Sequence, residues 1–174
     1  MKAIAFTGMP GAGKTEAVKV AKEMGIKVVS MGDEVRNEAR KRGLELNDEN
    51  VGKIADEMRK KYGMDIWAKK CIEKLSSEKI IVIDGIRNIE EVETFRKRIK
   101  NFILVAIHAS PKTRYERLMK REREDDSKNV EELKEREKRE LSWGLGDVIA
   151  MADIVLINEG DLEEFREKVR EILS

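Results

Sequence analysis

The sequence has very little of several residue types, and each shortage excludes a class of protein. Cys71 is the single cysteine among 174 residues, which excludes an internal disulfide framework and a multi-cysteine metal site. No apolar run approaches the length of a membrane span, and the first apolar segment follows directly after Met1, without room for a signal peptide. We therefore expect a cytoplasmic protein with no membrane partner. Glutamine is absent while Lys and Glu are abundant, a composition typical of proteins from very hot environments.

Charged residues make up 41% of the chain, but the two signs nearly cancel. The 36 basic side chains are balanced by 35 acidic ones, for a net charge of +1. This balance argues against nucleic acid as the partner, although it leaves room for a local basic cleft. At this length we expect a single domain with a substantial apolar core.

A phosphate-binding loop is predicted directly after the first apolar segment. Eight residues fit the pattern G-x-x-x-x-G-K-[ST]: Gly8, Met9, Pro10, Gly11, Ala12, Gly13, Lys14 and Thr15. Glycines let backbone N–H groups wrap an anion, and the following helix directs the positive end of its dipole at the same phosphates. In this pattern Lys14 reaches the β- and γ-phosphates and the Thr15 hydroxyl holds Mg²⁺. The sequence therefore predicts a site for ATP and Mg²⁺.

Short β-branched segments alternate with charged segments of helical periodicity. This alternation predicts an α/β fold, with a five-stranded parallel sheet that carries helices on both faces. The predicted strands are residues 2–7, 27–30, 79–84, 102–108 and 153–157. Helices are expected over residues 14–24, after the N-cap and proline pair Ser110 and Pro111, and after a capping box that begins at Asp161.

Two segments depart from the simple alternation. Residues 31–78 contain three helical stretches where a minimal crossover needs one. We interpret them as an inserted helical lobe over the carboxyl edge of the sheet, where open α/β sheets bind ligands. Residues 120–139 are highly charged and have few core-forming residues, so we expect a short lid there.

Three motifs resemble those of adenylate kinase and related nucleoside monophosphate kinases. SMGDEVR at residues 30–36 is similar to S-T-G-D-x-x-R, in which the arginine binds the phosphate of the acceptor. DGIR at residues 84–87 resembles D-G-x-P-R without its proline; the aspartate there lies near Mg²⁺ and the arginine contacts phosphate. RLMKR at residues 117–121 repeats the R-x-x-x-R that opens the lid. The resemblance implies that Asp33 and Arg36 bind the acceptor and that Asp84 lies at the metal, with lid arginines at Arg136 and Arg139.

The last part of the chain resembles a second kinase. ADIVLINEGDL at residues 152–162 is similar to the A-D-x-x-I-x-N-x-G-x-L segment of dephospho-coenzyme A kinase. Together the motifs cover nearly the whole chain. The combination most resembles an uncharacterised, chiefly archaeal family of kinase-like P-loop proteins.

Physical chemistry assigns roles to the same side chains. Phosphoryl transfer requires two groups to be aligned and negative charge to be neutralised, and the planar, permanently charged guanidinium suits both tasks. We expect Arg36 and Arg87 to hold the acceptor, while Arg117 and Arg121, with Arg123, close over the donor. Asp84 ends an apolar strand, where a carboxylate is costly unless it is used, so we predict a metal ligand; the alternative is a helix cap.

Three functions stay open from the sequence. The first, which we predict, is a kinase that moves the γ-phosphoryl of Mg·ATP to a small-molecule acceptor such as a nucleotide, and it needs arginines but no base. The second is transfer to a hydroxyl, as in dephospho-coenzyme A kinase, with Asp33 as the candidate base; Asp33 could equally cap the next helix. The third is a regulatory ATPase with a protein or nucleic-acid partner. The sequence fixes neither the acceptor nor the oligomeric state.

Overall fold

The computed structural model describes residues 1–121 and 129–174. The strands in these ranges are β1 (Lys2–Thr7), β2 (Lys27–Ser30), β3 (Ile80–Asp84), β4 (Asn101–His108) and β5 (Ile154–Ile157). The helices are α1 (Lys14–Glu23), α2 (Met31–Lys41), α3 (Asp48–Tyr62), α4 (Ile66–Ile72), α5 (Ile89–Arg98), α6 (Pro111–Lys120), α7 (Val130–Ser142), α8 (Leu145–Ala150) and α9 (Leu162–Leu173). None of the helices described is both long and apolar enough to cross a membrane.

The five strands form one parallel sheet, as predicted, and their order is β2-β3-β1-β4-β5. Three strand starts differ by one residue from the predicted ones, because the hydrogen-bonded ladder and not composition defines each end. The register pairs Asp84 with both Phe6 and Ser30. The carboxyl ends of β1, β2 and β3 therefore meet at one edge of the sheet.

Both faces of the sheet are buried at its three central strands, β3, β1 and β4, which explains their continuous apolar runs. On β1, Ala3 and Ala5 face a core built with α2 to α5 and α8, whereas Ile4 and Phe6 face a core built with α1 and α9. Between β2 and β3 the chain forms three helices, α2, α3 and α4, before it returns to the sheet.

Side chains at the helix starts explain where the helices begin. Ser110 accepts a hydrogen bond from the N–H of Thr113, with Pro111 in the first turn of α6. Asp161 accepts from the N–H groups of Glu163 and Glu164 at the start of α9. The predicted caps at Ser110 and Asp161 are therefore confirmed.

The alternative capping roles of Asp33 and Asp84 are wrong. Ser30 caps α2 by accepting a hydrogen bond from Asp33 N, so Asp33 lies inside the first turn. Asn88 caps α5 by accepting from Glu91 N, four residues beyond Asp84. In both cases the residue directly before the helix has the extended backbone that a cap requires.

A buried ion pair joins the helices between β2 and β3 to the rest of the fold. Arg59 on α3 donates from Nη2 to Glu91 Oε1 on α5 at 2.9 Å, and both side chains are almost fully buried. The second oxygen of Glu91 accepts from the backbone N–H of Arg87 at 2.7 Å. The Arg59 guanidinium also lies 4.2 Å from the centre of the Trp143 ring.

We expect Glu91→Ala to lower the free energy of unfolding by about 3–5 kcal/mol, because it leaves the Arg59 charge buried without a carboxylate. Urea denaturation would measure the loss. Glu90→Ala removes an exposed carboxylate from the same helix turn and is the matched control. A loss of about 1 kcal/mol or less in Glu91→Ala would mean that the pair contributes no more than a surface ion pair.

Candidate active site

A cavity of about 340 Å³ lies at the carboxyl edge of the sheet. Its walls come from the phosphate loop, from the first turn of α2, from α3, from the residues after β3 and from α7. The lining includes eight cations: Lys14, Arg36, Arg59, Arg87, Arg117, Arg121, Arg136 and Arg139. Four carboxylates also line it: Glu16, Asp48, Asp84 and Glu140. The excess of positive charge suits a ligand that carries several negative charges.

The glycines of the phosphate loop are required by close packing as well as by backbone conformation. Gly11 and Gly13 have φ angles of +82° and +121°. A Cβ at Gly13 would lie 2.3 Å from Asn158 Nδ2, and one at Gly11 would lie 2.7 Å from the Arg114 carbonyl oxygen. Helix α1 then begins at Lys14 without a side-chain cap, so its first N–H groups are available to an anion.

Lys14 lies against the loop that precedes it. Its Nζ donates to the carbonyl oxygens of Gly8 at 2.6 Å and Met9 at 3.1 Å. Burial is the largest cause that lowers the pKa of Lys14, and the neighbouring Arg87 lowers it too, while Glu140 and Asp84 act in the opposite direction; together they bring the pKa to about 7. The charge of this amine near neutral pH therefore depends on the anions beside it.

Asp84 and Thr15 line the same cavity and fit a magnesium site. The Asp84 Oδ1 atom is buried and accepts no hydrogen bond, which is costly for a carboxylate oxygen unless a cation or water completes it. Within the described ranges, no group of three or more His, Cys, Asp or Glu side chains is arranged to hold a metal. One carboxylate and one hydroxyl suit Mg²⁺, which usually takes its other ligands from water and phosphate.

Arg87, predicted to contact the acceptor, forms an ion pair that the sequence did not indicate. Its Nε donates to Glu140 Oε1 at 2.5 Å, and Nη1 donates to the carbonyl of Ile86 at 3.3 Å. Glu140 is 4% exposed, and its burial alone would raise its pKa. The charges of Arg87 and Arg136 outweigh burial and lower the pKa of Glu140 to about 2, so this carboxylate stays ionised.

Arg36 lines the cavity, but its partner Asp33 does not. Arg36 Nη2 lies 2.8 Å from Asp33 Oδ1, one helical turn away on α2. The Asp33 side chain is 65% exposed and does not line the cavity. The structure therefore brings Arg36, Arg87 and Asp84 together and leaves Asp33 outside.

Arg117 and Arg121 both reach the cavity from α6, in different ways. Arg117 donates from Nη1 to the carbonyls of Gly11 and Ala12, each at 3.3 Å, and from Nη2 to the carbonyl of Asn158 at 2.7 Å. Arg121, at the end of α6, lines the cavity. Arg123, the third predicted donor-side arginine, lies outside the described residues, as does part of the predicted lid.

The arginines on α7 pack against the start of α3. Arg139 Nη2 lies 3.0 Å from Asp48 Oδ1, and Arg136 Nε lies 3.8 Å from the same atom. The Arg139 guanidinium occupies the space where a Cβ at Gly52 would lie, with Cζ only 2.3 Å from that position. Burial raises the pKa of Asp48 in spite of Arg139. Gly52 is therefore what allows α7 to approach α3 at the cavity.

Several residues of the site could not be found by motif. Glu140 and Asp48 lie in charged helical segments, where an acid is usually solvent-facing. A weak signal existed for Glu140, because it follows the buried Leu133 by seven residues and so shares its helix face. No comparable signal marks Arg114. Asn158 belongs to the segment that resembles dephospho-coenzyme A kinase, but that resemblance did not indicate its contact with the phosphate loop.

Comparison with solved structures gives the class of fold. Shikimate kinase from Bacteroides thetaiotaomicron matches with a TM-score of 0.63 at 15% identity, over 99% of this chain and 98% of that one. Shikimate kinase from Acinetobacter baumannii, in complex with shikimate, matches with a TM-score of 0.59 at 19% identity, over 99% and 91%. At these identities the likeness shows the fold alone, which is that of a P-loop kinase.

Sequence comparison then gives the family. The model of the AAA domain family matches residues 7–134. The UPF0200 protein of Thermoplasma volcanium is 49% identical over 170 residues, which cover 98% of this chain and 95% of that protein. A UPF0200/UPF0201 protein of Archaeoglobus fulgidus is 51% identical over 99% of this chain, which spans only 55% of that relative. The chain belongs to the UPF0200 family of P-loop kinase-like proteins, which confirms the resemblance to an archaeal family.

We expect a polyanion in the phosphate loop to raise the pKa of Lys14 from about 7, so that the amine gains a proton on binding at pH 8. Titration calorimetry of magnesium tripolyphosphate in two buffers of different ionisation enthalpy would measure this proton uptake. Lys14→Arg is the control, because its guanidinium stays protonated at every pH used. Proton exchange in this variant therefore comes from the ligand and can be subtracted. Equal buffer dependence in the two proteins would contradict the lowered pKa.

Proposed function

We propose that this protein is a magnesium-dependent kinase that transfers the γ-phosphoryl group of ATP to an anionic small molecule, with a nucleotide as the favoured acceptor. The observation that carries the proposal is the single cavity in which the phosphate loop and the unpartnered Asp84 oxygen face Arg36 and Arg87. Phosphoryl transfer needs this pairing of a donor half with an acceptor half.

The donor half consists of the loop, Lys14 and the start of α1. Backbone N–H groups at the uncapped helix start would bind the phosphates, and Lys14 would move from the loop carbonyls to the β- and γ-oxygens. Thr15 and Asp84 would hold Mg²⁺, whose role is to neutralise the charge that develops on the transferring group. Arg121 at the end of α6 would add positive charge on the donor side.

The acceptor half lies against the helices between β2 and β3, which we propose as the acceptor lobe. Arg36 from α2 and Arg87 from the end of β3 would hold the anionic group of the acceptor. Met31, Val35 and Val51 line the same part of the cavity and would contact its apolar portion. An acceptor anion that binds Arg87 must share this guanidinium with Glu140, which favours a group of high charge such as phosphate.

The position of Asp33 supports a phosphate acceptor over a hydroxyl acceptor. A hydroxyl must lose its proton during transfer, and a base within hydrogen-bond reach usually takes it. Asp33, the candidate for that role, is largely exposed and paired with Arg36 outside the cavity wall. A phosphate oxygen needs no base.

We propose that residues 120–139 act as a lid that excludes water and so limits hydrolysis.

The test is ADP production from Mg·ATP against a panel of nucleoside monophosphates, dephospho-coenzyme A and shikimate, with a reaction that lacks acceptor. Stimulation by a nucleoside monophosphate, abolished in Lys14→Ala, is the expected result. Stimulation by dephospho-coenzyme A or shikimate alone would show transfer to a hydroxyl group and contradict transfer to a phosphate group. A slow rate that no acceptor changes would favour a regulatory ATPase.

We expect Arg36→Ala to raise the KM of the acceptor on the order of 30-fold or more while the KM of ATP changes little, because the lost guanidinium faces only the acceptor half. Steady-state kinetics with each substrate varied in turn would measure both constants. Arg40→Ala is the control, since Arg40 lies on α2 one turn later, is exposed and pairs with Asn37 outside the cavity. Equal increases in both KM values would place Arg36 elsewhere in the reaction.

A further inference from the structure

The outer side of the phosphate loop is held by side chains from three distant positions. Each donates to a loop carbonyl: Arg114 Nη1 to Pro10 at 3.3 Å, Arg117 Nη1 to Gly11 and Ala12 at 3.3 Å, and Asn158 Nδ2 to Ala12 at 2.9 Å. These residues lie 104 to 146 positions further along the chain than the carbonyls they bind. They reach the loop because α6 and the end of β5 meet there. The loop conformation is therefore fixed from outside as well as by its glycines.

A bond to an outward carbonyl also determines where the neighbouring N–H points. The peptide unit is planar and trans, so its C=O and N–H point in opposite directions. Asn158, which does not line the cavity, holds the Ala12 carbonyl, so the N–H of Gly13 in the same peptide is directed the opposite way, toward the cavity. Gly13 lines the cavity, whereas Ala12 is fully buried.

Asn158 is itself held firmly in one orientation. It is 7% exposed, its backbone N–H donates to the His108 carbonyl at 2.8 Å, and its own carbonyl accepts from Arg117 at 2.7 Å. Its amide lies against Gly13 so closely that no Cβ fits there. Asn158 does not line the cavity, so any effect on a ligand must pass through the loop.

We propose that Asn158 is a positioning residue for the phosphate loop, which fixes the peptide between Ala12 and Gly13 so that the Gly13 N–H faces the phosphates. The proposal rests on the donor half of the proposed function and concerns no part of the acceptor. It also gives a physical reason for an asparagine at this position, since the side chain must donate to one carbonyl while fitting against a glycine.

The experiment compares Asn158→Asp and Asn158→Ala with the unchanged protein. Aspartate has nearly the same shape as asparagine but turns an acceptor oxygen toward the Ala12 carbonyl. Alanine removes the polar group altogether. Asn158→Ala therefore keeps the test valid if Asn158→Asp does not fold. The probes are magnesium tripolyphosphate, which has no nucleoside, and Mg·ATP, both measured by titration calorimetry. We expect both variants to bind both probes about tenfold more weakly, from the loss of one buried hydrogen bond and its orientation of the loop.

A general loss of packing must be separated from loop positioning. Thr94→Ala is the matched control, because it removes a partly buried hydrogen bond to Asp65 at 2.6 Å, between residues that do not line the cavity. We expect it to lower the melting temperature as much as Asn158→Ala does and to leave tripolyphosphate binding unchanged. In the kinase assay, Asn158→Ala should raise the KM of ATP and leave that of the acceptor unchanged.

The results that would overturn the positioning role differ from the result that would overturn the proposed function. Unchanged affinity for tripolyphosphate in both Asn158 variants would overturn the positioning role and leave the proposed function intact. Weaker binding of ATP alone would also overturn it, because the side chain would then act on the nucleoside and not on the loop. If the unchanged protein bound neither probe, the phosphate site itself would fail, and both proposals with it.

Discussion

The concentration of positive charge in one small cavity is the constraint on which the rest of the site depends. Like charges a few ångströms apart repel strongly in a partly desolvated pocket, so guanidinium groups cannot be gathered there without nearby carboxylates. Glu140 makes the central contribution, since its charge acts on Arg87, Arg136 and Lys14 together. Asp48, at the start of α3, likewise pairs with Arg139. The buried carboxylates are thus part of the binding site and not merely of its framework.

The same ion pairs limit what can bind. A ligand that approaches Arg87 meets a guanidinium already bonded to a buried carboxylate that stays ionised far below neutral pH. A singly charged group gains little by competing with it, whereas a doubly charged phosphate can share the cation and still gain. Glu140 lies on α7 with Arg136 and Arg139, so the Arg87 ion pair also ties the end of β3 to the helix that carries these two arginines. If the acceptor binds as proposed, charge is therefore the first property on which the site selects it.

The sequence predicted the fold well because its signals are local. Apolar runs bounded by polar residues predicted the strand ends to within one residue, and the capping residues Ser110 and Asp161 indicated where their helices begin. The phosphate loop could be predicted for the same reason, since a short pattern of glycines with Lys14 carries its own conformational requirement. Motif resemblance also indicated Arg36, Arg87 and Asp84, all of which reach the cavity.

What the sequence could not predict depends on contacts between distant positions. Arg87 and Glu140 are separated by 53 residues, and Asn158 and Ala12 by 146, so nothing in either neighbourhood reveals the pairing. Asp33 illustrates the opposite case, because the motif that located Arg36 also suggested that its neighbour faces the ligand. The i,i+3 geometry of α2 instead lets Asp33 neutralise Arg36 from the solvent side.

The pair Arg117 and Arg121 shows how one local motif can serve two purposes. Residues four apart lie on one face of a helix, and Arg117 in α6 and Arg121 directly after it both line the cavity. Arg117 is held there by three carbonyl oxygens, two from the loop and one from Asn158. Fixing Arg117 fixes the rotation of α6, and with it the side of the cavity on which Arg121 lies. The first arginine of a spacing that resembles a lid motif thus holds the phosphate loop, and the second lines the cavity beside it.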